Sequence, residues 1–212
     1  MFGISITLLS IPVAAYLLGS IPFGLLLAKL LGGLDVRKAG SGNIGATNVA
    51  RAAGPLAGIL TLLLDAAKGA FAVILAARLS GDSATWMMIA AMASLIGHCY
   101  PIWLNFRGGK GVATAAGFFI VLAPMAFGIA IAIFILVAVF TRFVSLGSIS
   151  AAAAMPLLIY LLWAPHHAPP PAVTFGALAV SLLIIYKHDA NIQRLIQGDE
   201  PKFSFSKKKD EE

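Results

Sequence analysis

Hydropathy along the chain alternates between long apolar runs and short polar loops. A hydrocarbon layer about 30 Å thick needs roughly 20 apolar residues per helix. The runs at about 4–31, 55–79, 85–101 and 172–186 meet or nearly meet that length, and a further run at 148–164 is rich in alanine and carries Pro156. The stretch 111–140 is too long for one ordinary span, and Pro124 sits near its middle. Proline lacks an N–H and clashes with the preceding turn, so the stretch is expected to break there into two short helices. The pattern predicts an all-α integral membrane protein, a seven-transmembrane-helix bundle, with five crossings as the alternative if the 111–140 pair only dips into the bilayer. Gly19, Gly24, Gly58, Gly69, Ala113, Gly117 and the Ala151–Ala154 run are small residues that let helices approach closely in lipid. No internal repeat is evident, so residues 1–212 read as a single membrane-embedded domain, with 187–212 as a short tail.

Composition agrees with this picture. Hydrophobic residues make up 59% of the 212 and charged residues 11%, against roughly 45–50% and about 25% in soluble domains. A chain of this size has too little interior to hide that much apolar surface, which excludes a soluble globular enzyme and a compact nucleic-acid-binding domain. No Lys or Arg precedes Lys29, so Met1 to Leu31 reads as a retained helix and not a cleaved signal peptide. The net charge of +6 is informative through its location. Residues 32–54 hold Arg37, Lys38 and Arg51, residues 102–110 hold Arg107 and Lys110, Arg142 follows the split pair, and 187–212 add six more basic residues. The alternate loops 80–84 and 165–171 hold none. By the positive-inside rule the basic loops and the C-terminus are cytoplasmic, the N-terminus is outside, and the number of crossings is odd.

Two glycine-rich polar loops lie on the basic side. The first, GSGNIGATNVAR from Gly40 to Arg51, contains Gly40, Gly42 and Gly45 in a G-x-G-x-x-G spacing, with Asp65 20 residues on. A dinucleotide fold is excluded by context, because a membrane helix precedes the loop where a buried strand should stand. Glycines can still turn backbone N–H groups toward an anion, with Ser41, Asn43, Thr47 and Asn48 adding neutral partners and Arg51 a planar cation. The alternative is a flexible loop held together by its own Ser and Asn turns. In the second loop, Gly97 to Gly117, the sequence Arg107-Gly108-Gly109-Lys110-Gly111 is not a Walker A loop, since Leu104 and Gly111 stand at its defining positions. It is either a phosphate clamp or a positive-inside anchor, and the anchor explains the charges but not the glycines.

Other polar residues leave both readings open. His98 can exchange a proton near neutral pH or serve as a structural hydrogen-bonder, and Cys99, the one cysteine, reads as a packed residue. Asp65 and Lys68 share a helix face inside a span, so they should face the bundle interior or water. His188, Asn191 and Arg194 project from one side of a helix that either closes over the loops or lies solvated at the interface. Ser145 and Ser148 are packing hydroxyls or phosphate contacts, His166 and His167 read as solvated, and Lys207–Lys209 touch anionic lipid or solvent. No H-E-x-x-H, paired carboxylate, Cys cluster or G-x-S-x-G is present, and Trp103 replaces the Asp of the soluble-type acyltransferase H-x-x-x-x-D motif.

The motifs GSIPFG (Gly19–Gly24), GSGNIGATNVAR (Gly40–Arg51), LLDAAKG (Leu63–Gly69), GHCYPIWLNFRGGKGVAT (Gly97–Thr114), TRFVSLGSI (Thr141–Ile149) and YKHDANIQRLIQGDE (Tyr186–Glu200) together resemble the bacterial PlsY family, in order and over nearly the whole chain. That resemblance implies an acyl-phosphate:glycerol-3-phosphate acyltransferase of the bacterial inner (cytoplasmic) membrane, working at the cytoplasmic side in the first acylation of phospholipid synthesis. It implies transfer to the 1-hydroxyl, giving lysophosphatidic acid and inorganic phosphate. No cofactor, acyl-CoA or metal is expected. The partners implied are glycerol 3-phosphate, long-chain acyl phosphate and membrane lipid, with no nucleic acid. The chain would work as a monomer, and association with other phospholipid-synthesis enzymes is left open. Carried over by motif, Ser41, Arg51, His98 and Lys110 would act at the reacting centre. Gly40, Gly42, Asn43, Gly45, Thr47, Asn48, Gly108, Gly109, Gly111, Ser145, His188 and Asn191 would join Ser41, Arg51 and Lys110 in holding the substrates. The hydroxyl proton goes either to His98 or to an oxygen of the donor phosphate. The donor oxygen is the expectation, because no acidic residue near His98 in sequence would orient it. A transporter for a phosphorylated metabolite shares the basic loops but needs a polar path across the bilayer, and a lipid phosphatase needs a nucleophile or metal ligands.

Overall fold

A computed structural model describes residues 6–163 and 170–203. His166, His167 and Lys207–Lys209 lie outside the described residues. The described residues are helical with polar turns between. The N-terminal apolar run is two pieces, α1 (Ile6–Gly19) and α2 (Phe23–Gly32), where a single helix was expected. Pro22 interrupts the hydrogen-bond ladder, and Lys68 Nζ donates at 3.0 Å to the carbonyl of Ile21, which also accepts from Phe23 N at 3.1 Å. A short polar helix, α3 (Ala46–Ala53), ends at Gly54, whose positive φ of 93° turns the chain into Pro55 and the long α4 (Pro55–Ser80). Then come α5 (Ala84–Cys99), α6 (Val112–Leu122), α7 (Pro124–Thr141), α8 (Val144–Trp163), α9 (Pro171–Lys187) and α10 (Asp189–Gln197). The break at Pro124 falls where the sequence placed it. The helix expected over 148–164 begins earlier, at Val144.

By length and composition five of these helical stretches can cross a bilayer, and a sixth is added if α9 and α10, bent by 55°, are one broken span. The seventh apolar segment, α6, spans only about 16 Å at 1.5 Å per residue, roughly half the hydrocarbon thickness. The expected tail is not free over its first part, because α10 and the strap after it fold back on the bundle. Phe203 N donates to Arg142 O at 2.7 Å and Arg142 Nε to Phe203 O at 3.3 Å, which ties the strap to the turn between α7 and α8.

Close backbone approach organises the helix pairs. A Cβ on Gly19 would collide with the carbonyl of Ser94, one on Gly97 with that of Tyr16, so α1 and α5 touch main chain to main chain. The same holds for Gly69 and Gly117, which face the carbonyls of Thr114 and Ala66 between α4 and α6. Such approach lets dispersion contacts replace the missing hydrophobic drive between helices in lipid. The outward faces stay apolar, with Leu9, Val13, Ile59, Leu63, Met125 and Phe140 exposed. Among the inward polar groups, Ser181 Oγ donates across helices to Ala152 O at 2.6 Å.

Replacing Gly117 by alanine is expected to push α4 and α6 apart and cost about 1–3 kcal/mol of stability, the usual penalty of overpacking. Gly128→Ala, on α7 with open space where the Cβ would go, should leave stability unchanged or slightly raised. Melting curves of the two variants in one detergent check the contrast.

Candidate active site

At one end of the bundle the two glycine-rich loops, the α7–α8 turn and the C-terminal strap enclose a cavity of about 570 Å³. Of the residues singled out from sequence it brings together Gly40, Ser41, Asn43, Gly45, Thr47, Asn48, Arg51, His98, Lys110, Gly111, Ser145, His188 and Asn191. Gly42, Gly108 and Gly109 do not line it. The wall is apolar on one side, where Leu62, Val112, Phe134 and Val144 meet.

The first loop is built around Asn48, which is 3% exposed. Its Nδ2 donates to the carbonyls of Val36 at 3.3 Å, Ala39 at 3.0 Å and Asn43 at 2.8 Å, while its Oδ1 accepts from Ser41 N at 2.9 Å. Asn43 Oδ1 accepts from Gly45 N at 2.7 Å, and Gly42 N donates to Ala39 O at 3.0 Å. The N–H groups of Ser41, Gly42 and Gly45 are therefore committed within the loop, so the loop is held by its own asparagine turns. Gly40 is glycine for want of space, since a Cβ there would strike Asn48 Oδ1, and its φ is +54°. What faces the cavity is the first turn of α3, with Thr47, and Arg51 one turn further on the same face.

The second loop is zipped onto the end of α5. Gly108 N donates to Cys99 O and Gly109 N to His98 O, both at 3.1 Å. A Cβ on Gly108 would meet His98 O, one on Gly109 the His98 ring, and one on Gly111 the side chain of Leu95. These glycines let the loop lie flat on α5, and Lys110 is the side chain left pointing into the cavity. Among the described residues no carboxylate lies within 4 Å of Lys110 or Arg51.

Glu200 is the principal site group that sequence reasoning missed. Its Oε1 accepts from Ser145 Oγ and from Asn191 Nδ2, each at 2.6 Å, and its Oε2 from Arg194 Nε at 2.8 Å. Asn191 Oδ1 in turn accepts from Lys110 Nζ. Burial would raise the Glu200 carboxyl, but the hydrogen bonds from Ser145, Asn191 and Arg194 outweigh it and hold the group below the usual range. Burial pushes the Lys110 ammonium down to about 8; Glu200 opposes the shift, while Arg194, Lys187 and Arg51 add to it. His188 Nδ1 lies 2.7 Å from the carbonyl of Ile184, so Nδ1 carries the proton and Nε2 is the acceptor left over.

Deeper in, His98 meets a carboxylate after all. Asp65 Oδ1 sits 2.8 Å from Lys68 Nζ and 3.6 Å from His98 Nδ1, with all three side chains at most 4% exposed. No acid lies near His98 in sequence, and the carboxylate comes from a distant one. Asp65 is remote in sequence but adjacent across α4 and α5. Glu200 had a faint signal, as an acid just beyond the helix-ending Gly198 in a basic tail.

A family model described as glycerol-3-phosphate acyltransferase matches residues 9–198. A glycerol-3-phosphate acyltransferase of Syntrophotalea carbinolica is 50% identical over 90% of this chain and 94% of its own length. One of Trichlorobacter lovleyi is 50% identical over 89% and 94%. Two crystal structures of PlsY, an integral membrane glycerol 3-phosphate acyltransferase, are 40% identical over 93% of this chain. The glycerol 3-phosphate form superposes with a TM-score of 0.85 and is covered over 96%, and the lysophosphatidic acid form with 0.83 and over 95%.

Asn48→Ala strips one loop of four hydrogen bonds, and unpaired buried partners cost about 1–3 kcal/mol each at most. The variant is expected to melt earlier and to be cut by protease within residues 36–48 under conditions that leave the parent whole. Limited proteolysis with mass mapping of the fragments reads this directly.

Proposed function

The chain belongs to the glycerol-3-phosphate acyltransferase family, of the PlsY type, and from that premise we propose that it moves an acyl group from acyl phosphate to the 1-hydroxyl of glycerol 3-phosphate. The products are lysophosphatidic acid and inorganic phosphate. The observation that carries this reading is the pairing, in one cavity, of two cations without carboxylate partners and an apolar wall. Arg51 and Lys110 match two phosphate-bearing substrates. Leu62, Phe134 and Val144 offer a surface for the start of a hydrocarbon chain. Acyl phosphate is already activated, so a Ser or Cys nucleophile is unnecessary. The hydroxyl oxygen attacks the acyl carbonyl carbon, the bond from that carbon to the phosphate oxygen breaks, and phosphate departs with its growing charge met by Lys110 and Arg51. Holding the hydroxyl beside the carbonyl contributes much of the remaining acceleration.

Ser41, Thr47, Ser145, His188 and Asn191 add polar lining to the cavity. The residues that line the cavity come from one chain, which supports a monomer. Its loops carry Arg37, Lys38, Arg51, Arg107 and Lys110, and this basic charge supports reading the site as facing the cytoplasm from a bacterial inner membrane. Seven crossings with the N-terminus outside follow if α6 completes its passage with the loop before it. A transporter is disfavoured because Asp65 and Lys68, the charged pair buried within α4, are paired with each other.

Purified protein given palmitoyl phosphate and radiolabelled glycerol 3-phosphate should form labelled lysophosphatidic acid, and palmitoyl-CoA should not replace the donor. Product from palmitoyl-CoA alone would reassign the donor, and no product from folded protein that binds glycerol 3-phosphate would favour transport. Lys110→Ala should lower kcat/KM by roughly 100- to 1,000-fold. Because burial sets Lys110 near 8, its charge fades as pH rises through that value. kcat/KM should therefore fall from about pH 8 upward, where an ordinary lysine would hold its charge to about 10.

A further inference from the structure

Lys110 reaches the cavity already aimed by Asn191, but Arg51 has no such guide. Among the described residues its guanidinium makes no hydrogen bond or ion pair. Its position is therefore set by the helix that carries it. That helix is poorly equipped to stand alone. α3 has eight residues and no side-chain cap at its start, and an isolated helix shorter than about 12–15 residues is marginal in water. What holds α3 is a close seat on its neighbours. Ala46, Ala50 and Ala53 fall in one row along it, while Thr47 and Arg51 fall on the next face round, at the cavity. A Cβ on Gly58 of α4 would strike Ala50 and crowd the Ala46 carbonyl. One on Gly32, the last residue of α2, would lie 2.7 Å from the Cβ of Ala53. One on Gly24, also of α2, would strike the carbonyl of Ile44 just ahead of α3. Between the three helices Leu25, Ala28, Val36, Ile44, Val49 and Ala57 form a small apolar core of their own.

Resting on the reading that Arg51 meets a substrate phosphate, we propose that Gly32 and Gly58 are positioning residues for that arginine. With no side chain at either position, α2 and α4 close directly on the alanine row of α3, and this fixes where the guanidinium stands. A guanidinium needs such fixing more than an ammonium does. Its planar fork matches phosphate in few orientations, whereas lysine is a point charge on a flexible stem. An alanine Cβ at position 32, 2.7 Å from that of Ala53, would have to retreat by roughly 1 Å to reach ordinary contact. A misplacement of about 1 Å away from the chemistry can cost about 100-fold in rate. The two cations of the cavity are thus set by different means. Lys110 is aimed by a side-chain hydrogen bond from the strap side, and Arg51 by the packing of its backbone.

The test measures kcat/KM and melting temperature for wild type, Gly32→Ala, Ala53→Gly, Gly32→Ala/Ala53→Gly, Arg51→Ala and Gly32→Ala/Arg51→Ala. Each is assayed with glycerol 3-phosphate and whichever of palmitoyl phosphate and palmitoyl-CoA gives product, so a reassigned donor leaves the comparison standing. Gly32→Ala should lower kcat/KM about 10- to 100-fold. Removing the opposing methyl in Gly32→Ala/Ala53→Gly should bring it back to within about threefold of wild type. Ala53→Gly alone should melt earlier and still keep kcat/KM within about threefold, which separates position from stability. In the Arg51→Ala background Gly32→Ala should add less than about threefold, because the glycine acts through the arginine. Wild-type kcat/KM in Gly32→Ala, no recovery in the swap, or multiplicative losses with Arg51→Ala would each overturn the inference. A wild type that forms no product, or Arg51→Ala with wild-type kcat/KM, would instead remove the reading beneath it, and the inference with it. If Gly32→Ala does not fold, Gly58→Ala and Gly58→Ala/Ala50→Gly make the same comparison from α4, and the same outcomes decide it.

Discussion

Hydrocarbon offers no hydrogen bonds, so each polar group placed below the membrane surface has to be met from within the protein. That requirement shapes this molecule more than any single contact. Asp65, Lys68 and the Ile21 carbonyl form a closed set where α1 breaks. The break between α1 and α2 is held by a lysine on α4 that donates to the Ile21 carbonyl. Ser94, Thr61 and Ser181 turn their hydroxyls onto helix carbonyls, within their own helix or across to a neighbour. Once such sets are closed, the polar atoms left open gather at one end of the bundle, and there the cavity forms.

The fold was legible where backbone chemistry acts locally. Pro124 splits its apolar stretch because the defect lies within the helix itself. The interruption at Ser20–Pro22 escaped because the run around it is uniformly apolar, and the partner that stabilises it lies 47 residues away. The tail stayed open between a closing and a solvated reading for a related reason. Hydropathy sees a charged end, whereas the structure sees Glu200 drawn inward by Ser145, Asn191 and Arg194. Which acid of a charged segment turns inward is decided by distant donors, and the clamp of Phe203 on Arg142 sets that choice here.

The site was legible as a set of residue types and less so as roles. Arg51, Lys110, His188, Asn191, Ser41 and Ser145 do converge. The glycines, which resembled backbone anion cradles, instead serve close packing: their N–H groups are spent on Asn43 Oδ1, Ala39 O, Cys99 O and His98 O. Glycine spacing cannot separate these two uses, since both need a small residue beside a main-chain turn. The distinction rests on what faces the missing Cβ, and at Gly109 that is the ring of His98.

Charge placement then explains why side chains, and not loop amides, must meet the phosphates. Glu200 occupies Arg194 at 2.8 Å, so that guanidinium is partly spent before any ligand arrives. Arg51 offers a planar guanidinium, while Lys110 sits buried enough to hold its proton loosely. An incoming phosphate restores the full charge of Lys110, and with water largely excluded the pair interacts more strongly than it would at the surface. Asn191 bridges the two halves of this arrangement, giving its amide hydrogen to Glu200 and its oxygen to Lys110. The ammonium is thereby aimed before substrate binds, and no reorganisation of the loop is needed when charge develops on the leaving phosphate. The same closed network that keeps the strap folded therefore presets the cation on which the transfer depends.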